Sequence, residues 1–274
     1  MKPLVIYHAD CNDGFCAAWV AIKALGDADF FPAQYGSNPP DVDGRDVYIL
    51  DFSYKRDVML KMAFDAKRVF ILDHHKTAEK ELEGISLVHG HPDEGTNIYC
   101  KFDMEKSGGR LAWEHFFPGK SSPFLVDYTE DRDLWRHRLA SSKEVNAALS
   151  SYPRDFAAWD NLGSLGTPLQ RLADEGQAIL RYQTQQVESQ CKNAAEIDVD
   201  GHKVLCVNAT LLISEIAGKL AEGRPFGASY FIRADGAKVW SLRSRDGGED
   251  VSAIAKCHGG GGHRNAAGFT ELTG

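Results

Sequence analysis

Residues Arg68–Lys76 read RVFILDHHK, and the fold turns on how that stretch is built. Val69-Phe70-Ile71-Leu72 is a short apolar run rich in β-branched and aromatic residues, the pattern of a strand buried on both faces. It passes straight into Asp73-His74-His75-Lys76. The polar cluster therefore falls at the strand's C-terminal end, the edge where open α/β sheets hold their ligands. Two other apolar runs end in the same way: Leu4-Val5-Ile6-Tyr7 into His8-Ala9-Asp10, and Val47-Tyr48-Ile49-Leu50 into Asp51. Packing alone gives no reason for three strands to deliver histidine and aspartate to one edge. The pattern reads as a metal site.

Working outward, Pro3–His8 is the first predicted strand and Gly14–Leu25 a helix whose apolar residues point to nearly every side, as in a helix pressed onto a sheet. Strands follow at Asp29–Tyr35, Asp46–Phe52, Arg68–Asp73 and Ile85–His89, with a loop over Gly36–Gly44 and a helix around Lys55–Asp65. Strands alternating with helices predict a parallel, doubly wound sheet. From Gly108 the pattern turns helical, over Arg110–Phe117, Pro123–Trp135, Lys143–Ser150 and Arg154–Asn161. Leu169–Ala195 is polar, glutamine-rich and full of good helix formers, which suits an exposed helix joining two domains. Beyond it, EIDVDGHKVLCVN (Glu196–Asn208) predicts a hairpin turning at Asp200-Gly201. A helix at Ser214–Glu222, strands at Ala228–Ala234 and Lys238–Ser244, and a helix at Val251–Cys257 complete a mixed α+β block. The expected organisation is a catalytic domain over 1–165, a linker helix over 166–195 and a smaller α+β domain over 196–274.

With 274 residues, 43% apolar and 26% charged, the chain has the composition of a globular protein with room for a core. No apolar stretch approaches the roughly 20 residues of a membrane span, and MKPLVIYHAD lacks the long apolar core and cleavage site of a signal peptide. Six scattered cysteines without a C-x-x-C pair suggest reduced thiols and a cytoplasmic protein, with Cys11 and Cys16 read as structural residues or bystanders. A net charge of −8 argues against coating long nucleic acid by bulk attraction, though not against a small anionic substrate.

Aspartate and neutral histidine suit a divalent ion such as Mn²⁺, with Mg²⁺ or Co²⁺ as alternatives. The candidates are His8, Asp10 and Asp13 after the first strand, Asp51 after the third and His74 after the fourth. A carboxylate shared between two ions holds them about 3.5–4 Å apart, the spacing that clamps an in-line displacement at phosphorus. An aspartate at a strand end also serves as a helix N-cap, and Asn12 or Asp13 suits that role for the Gly14 helix.

On these residues the chain resembles the DHH phosphoesterase superfamily with its associated C-terminal domain, a group that includes RecJ-like exonucleases, nanoRNases, cyclic-dinucleotide-linked phosphodiesterases and, more distantly, family II pyrophosphatases. His8–Gly14 (HADCNDG) is similar to the first motif, Asp51 to the second, Asp73-His74-His75 to the third, and Asp131, within EDRDLW, to the fourth. GGGGHRNAAG (Gly259–Gly268) is similar to the C-terminal glycine–histidine signature, so the likeness spans nearly the whole chain. It implies that His8 and a neighbouring first-motif residue hold one Mn²⁺, that Asp13, His74 and Asp131 hold a second, and that Asp51 bridges them. His75 would then contact phosphate, with Asp73 orienting it. The usual first motif has two aspartates separated by one residue. Here Asp10 and Asp13 are separated by two, so Cys11 or Asn12 competes with Asp10 for that position. Asp133 competes with Asp131 in the same way.

Near the C-terminus, four consecutive glycines, among them Gly260, Gly261 and Gly262, let backbone N–H groups approach a phosphate unobstructed. His263 follows, and Arg243 ends a predicted strand as a bidentate clamp for an anion. Arg110, after Gly108-Gly109 at a helix start, is a further candidate for substrate binding. Trp135, Phe269 and Tyr54 are available for base stacking.

The expected enzyme is a Mn²⁺-dependent phosphodiesterase that cuts dinucleotides and short single-stranded RNA or DNA to mononucleotides in a cleft between two domains, with pairing through the catalytic domain and no membrane partner. Two alternatives stay open: a phosphatase acting on a nucleotide 3′,5′-bisphosphate or short polyphosphate, and a non-catalytic nucleotide-binding regulator.

Overall fold

The structure is a computed structural model that describes residues 1–85, 97–163 and 169–271. They divide into two compact units, Met1–Ile179 and Leu180–Gly274. No helix among the described residues is long and apolar enough to cross a membrane.

The first unit begins β1 (Leu4–His8), α1 (Asn12–Leu25), β2 (Asp29–Ala33), β3 (Asp46–Leu50), α2 (Arg56–Asp65) and β4 (Arg68–Asp73). It continues with α3 (Lys76–Glu81), β5 (Ile98–Phe102), α4 (Gly108–Phe116), α5 (Phe124–Asp133), α6 (Ser142–Ser151) and α7 (Phe156–Gly163). The described strands form one parallel sheet in the order β2-β1-β3-β4-β5. Successive residues of a strand face opposite sides, and here both sides are apolar. Val5, Leu50 and Leu72 pack with Phe15, Trp19 and Val20 of α1 and with Leu111 and Leu125 of α4 and α5. Leu4, Ile6, Val47, Ile49, Val69 and Ile71 pack on the other side with Met59 and Met62 of α2. That is why the strands read as unbroken apolar runs and the sheet is doubly wound, as expected. Strand order reverses between β1 and β3, the switch point at which such sheets open a crevice beyond their C-terminal ends.

The strand expected at Ile85–His89 lies, from residue 86 on, outside the described residues. The strand paired with β4 is β5, in register Val69↔Ile98 to Asp73↔Phe102. Its sequence IYCKF interrupts the apolar run with an exposed Lys101, as befits the last strand of the sheet's order.

The helix α8 (Leu169–Cys191) falls where a linking helix was expected, and the division between units lies within it, after Ile179. The second unit then runs β6 (Ala195–Val199), β7 (His202–Asn208), α9 (Ile213–Leu220), β8 (Gly227–Ile232) and β9 (Lys238–Arg243). It ends with α10 (Val251–Cys257), β10 (Gly261–His263) and β11 (Ala266–Glu271). Its sheet has the order β10-β11-β9-β8-β7-β6, antiparallel except between β7 and β8. The hairpin turns at Asp200 (φ +49°) and Gly201 (φ +83°), the left-handed pair that a two-residue turn requires.

The glycine run departs from its expected form as an open phosphate loop. Gly261-Gly262-His263 is an edge strand paired with Ala266–Gly268. Gly262 has φ +138°, and a Cβ on it would fall 2.5 Å from the Ala266 carbonyl oxygen. The close approach of β10 to β11 is sufficient reason for glycine there.

Candidate metal centre

The site is assembled at the C-terminal ends of β1, β3 and β4 and closed by the starts of α1 and α4. Asp51, the residue after β3, is its hub. It is 1% exposed and sits in the left-handed region at φ +55°, an uncommon conformation for a residue with a side chain. One carboxylate oxygen, Oδ2, lies 3.5 Å from His8 Nδ1 and 3.7 Å from Cys11 Sγ. The other, Oδ1, lies 3.1 Å from His74 Nε2 and 4.0 Å from His75 Nδ1. The two oxygens thus face two separate groups of donors. Beyond His74, its Nε2 is 3.5 Å from Asp133 Oδ2 and 3.8 Å from Asp13 Oδ2. Among the described residues, ligand-type atoms fall into three groups, His8–Cys11–Asp51, Asp51–His74–His75 and Asp13–His74–Asp133, with the atoms of each within 4.8 Å of one another.

Two glycines let the hub come this close. A Cβ on Gly108 would lie 2.4 Å from the Asp51 Cβ, and one on Gly14 would lie 2.3 Å from the His8 carbonyl oxygen. The start of α4 meets the site with its backbone: Gly108 N donates to Asp13 Oδ2 at 2.6 Å and Gly109 N to Asp13 Oδ1 at 2.9 Å. A carboxylate at a helix N-terminus is favoured by the unpaired N–H groups and the helix dipole.

Burial by itself would pull the His74 imidazole down, but the hydrogen bond and charge of Asp51, with Asp13 and Asp133 beyond, hold it up at about 10. His75 is held up at about 9 against the same burial, chiefly by Asp73 and then Asp51. Burial pushes Asp13 and Asp133 above the usual carboxylate range, and the charge of Asp51 adds to it. Burial would push Asp51 up too, yet hydrogen bonds from His74 and His8 and the nearby imidazolium charges keep it below that range. A field that grips a proton this firmly also attracts a divalent cation, whose arrival displaces the proton. His8 Nδ1 and Asp51 Oδ1 are buried, and beyond their contacts with Asp51 Oδ2 and His74 Nε2 neither has a further hydrogen-bond partner among the described residues. Buried polar atoms without partners are costly, and lone pairs turned towards a common point suit metal ligation. The residues present fit a divalent ion.

No protein-family model matches the chain. The uncharacterized protein R106 of Acanthamoeba polyphaga mimivirus is 28% identical over 298 residues, covering 97% of this chain and 66% of that protein. The chain thus spans just under two thirds of that relative's length. Among solved structures, the DHH domain of a member of the s1p family of ribosomal proteins superposes with a TM-score of 0.54 at 12% identity, over 97% of this chain and 82% of that one. RecJ from Thermus thermophilus in complex with Mn²⁺ gives 0.52 at 14% identity, over 99% of this chain and 50% of that one. The chain shares its fold with that DHH domain and with RecJ.

Within this fold the expected site residues separate. His8, Asp13, Asp51, His74 and His75 come together as described. Asp73 stands behind them, 0% exposed, and its Oδ1 accepts from the backbone N–H of His74 (2.7 Å) and His75 (3.2 Å). The same oxygen lies 2.7 Å from His75 Nδ1 and so orients that ring.

Three expectations are corrected. Asp131 is not among the clustered carboxylates: its oxygens accept from Arg138 N (2.9 Å) and Leu139 N (3.2 Å), tying down the turn after α5. Asp133, two residues on, takes its place beside His74. Two residues correspond to about 200° of helix, so the two carboxylates point opposite ways. Asp10 also lies outside the cluster, at φ +58°, bonded to Gln34 Nε2 at 2.8 Å. Asn12 bonds Ser150 and Arg154. Of the rivals Asp10, Cys11 and Asn12, it is Cys11 that reaches Asp51, at 3.7 Å, so it is no bystander.

Arg110 is bound within its own unit rather than offered to a substrate. Its Nε donates to Glu130 Oε2 (3.0 Å), Nη1 to Ser122 Oγ (2.6 Å) and Nη2 to Asp127 Oδ1 (2.6 Å). It pins α5 against α4 and thereby fixes the helix start that holds Asp13. In the second unit, Arg243 Nη2 donates to Ser214 Oγ at 2.6 Å and Nη1 to the Leu242 carbonyl at 2.8 Å. His263 is exposed on β10, next to the half-covered Gly260, Gly261 and Gly262.

Sequence reasoning missed Tyr35. It is 59% exposed, with its ring centroid 5.3 Å from that of His8 and 6.3 Å from that of His75. Tyr54 and Phe269, expected to be available for stacking, are 5% and 7% exposed and belong to the cores. Tyr35 ends the predicted second strand, where an aromatic residue looks like one more core residue. No local signal sets it apart.

Proposed function

We propose that this protein is a metal-dependent phosphoesterase that hydrolyses short linear oligonucleotides and dinucleotides to mononucleotides. The observation that carries the reading is Asp51, buried at the sheet's switch point with one oxygen turned to His8 and Cys11 and the other to His74 and His75. A side chain so placed suits a bridge between two divalent ions, and Mn²⁺, present in the RecJ structure that shares the fold, is the first to test. Such ions supply Lewis acidity, which makes hydroxide accessible near neutral pH and offsets charge on the phosphoryl oxygens.

The chain's own residues do the rest. His8, Asp51, His74, Asp13 and Asp133 would hold the ions. His75, aligned by Asp73 and proton-rich, donates a hydrogen bond to a phosphate oxygen or a proton to the leaving oxygen. Tyr35 offers an exposed ring beside His8 on which a base can stack. Arg243 and His263 are proposed to bind the substrate's phosphate. The net charge of −8 accords with a short substrate rather than a long polyanion.

The test is Mn²⁺-dependent turnover on a panel of pApA-type dinucleotides, short RNA and DNA, a nucleotide 3′,5′-bisphosphate and short polyphosphate, with Asp51→Ala as control. Mononucleotide release from the dinucleotides is expected. Free phosphate from the bisphosphate or polyphosphate alone would replace the phosphodiesterase with a phosphatase. Absence of turnover on every phosphoester would leave a nucleotide-binding regulator.

A further inference from the structure

We propose that the His8 side of the metal centre is a sulfur-containing site, in which Cys11 ligates the ion together with His8 and Asp51 and selects a softer metal, Zn²⁺, Fe²⁺ or Co²⁺, over Mn²⁺ or Mg²⁺. This rests on the metal-centre reading above and refines it to the identity of one ion.

Three observations support it. First, Cys11 is the N-cap residue of α1, with extended backbone (φ −120°, ψ 141°), but its side chain makes no capping hydrogen bond. The left-handed turn at Asp10 (φ +58°) and the close seating of Gly14 on His8 bring this thiol, rather than the Asp10 carboxylate, to the cluster. Second, the three donors form a compact set with buried Asp51 at its base, and His8 Nδ1 has no hydrogen-bond partner besides Asp51 among the described residues. Third, His8 Nδ1 and Cys11 Sγ close on the same oxygen of Asp51, so one ion is within reach of all three. The observed His8 Nδ1–Asp51 Oδ2 and Cys11 Sγ–Asp51 Oδ2 separations are 3.5 and 3.7 Å. Three protein donors leave a fourth position for water or substrate, as in hydrolytic zinc sites.

Thiolate is the soft member of the set, whereas the Asp13–His74–Asp133 group has only oxygen and nitrogen donors, so the two sides differ in preference. Binding exchanges the S–H bond for a sulfur–metal bond and releases the proton to solvent, without change of oxidation state.

The experiment is a Co²⁺ titration of the chelator-treated full chain, followed by absorption spectroscopy, with metal content read by mass spectrometry. A sulfur-to-cobalt charge-transfer band in the near ultraviolet is expected for the wild type. It should vanish in Cys11→Asp and Cys11→Ser while both still take up Co²⁺. From equimolar Zn²⁺ and Mn²⁺, the loading ratio should shift towards Mn²⁺ by at least about tenfold in Cys11→Asp. Cys11→Ser, differing by one atom, keeps the comparison usable should Cys11→Asp unfold. Co²⁺ bound by the wild type without the band, or a band that persists in Cys11→Ser, overturns the sulfur ligand and leaves the metal centre standing. Failure to take up Co²⁺ at all removes the metal centre and this inference together.

Discussion

In the first unit, Asp13, Asp51, Asp73 and His74 are each at most 3% exposed at the end of a parallel sheet, whereas His263 of the second unit stands exposed on an edge strand. Ionised groups withdrawn from water are costly unless neighbours compensate them. The first unit compensates with opposed charges, backbone N–H groups and glycines that admit close approach. Each buried group is therefore coupled to several others, and few substitutions there can be silent. His263, which stands in water, bears no such burial cost, so changing it should alter binding more than stability.

The largest expected effect falls on the hub. Asp51→Ala should lower metal-dependent turnover by at least about 10²–10³-fold, together with metal uptake measured by mass spectrometry. Full metal loading in this variant would break the comparison at its strongest point. Next comes the glycine that admits the hub. Gly108→Ala places a methyl group against Asp51 Cβ and should destabilise the first unit by about 1–3 kcal/mol in urea unfolding, with weakened metal uptake.

The paired aspartates sharpen the contrast within one helix. Asp133→Asn should reduce metal uptake with little loss of stability. Asp131→Asn should do the reverse, costing about 1–2 kcal/mol through the two backbone N–H groups it serves. Burial would push the Asp131 carboxyl up, but hydrogen bonds from Ser142, Arg138 and Leu139 hold it below its ordinary value. A carboxyl with a lowered folded-state pKa stabilises above its unfolded value and loses that contribution as pH falls through the folded one. The stability gap between wild type and Asp131→Asn should therefore close on acidification through the carboxylate range. The smallest effect belongs to the second unit. His263→Ala should change stability by no more than about 0.5 kcal/mol while raising KM, and an unchanged KM would remove it from substrate binding.

Much of this was legible because strand, edge and ligand share one signal. RVFILDHHK, LVIYHAD and VYILD each state a buried strand and a polar end, so the parallel sheet and His8, Asp51, His74 and His75 follow from the chain alone. β5 was less legible, since an edge strand carrying Lys101 lacks the unbroken apolar run. The strands of the glycine segment were hidden for the opposite reason: glycine declares only that space is needed, and an approaching strand needs it as much as a phosphate does.

The sequence by itself determined the alternating strands and helices that open the parallel sheet and the residue types gathered at its edge, because periodicity and composition act locally along the chain. Only the tertiary structure decided between Asp131 and Asp133, between Asp10 and Cys11, and between a free and an engaged Arg110. In each case the rivals lie close in sequence or share a chemistry, and what separates them is direction in space. That direction is set by a helix rotation, a left-handed turn or a carboxylate on a neighbouring helix, none of which the order of residues states.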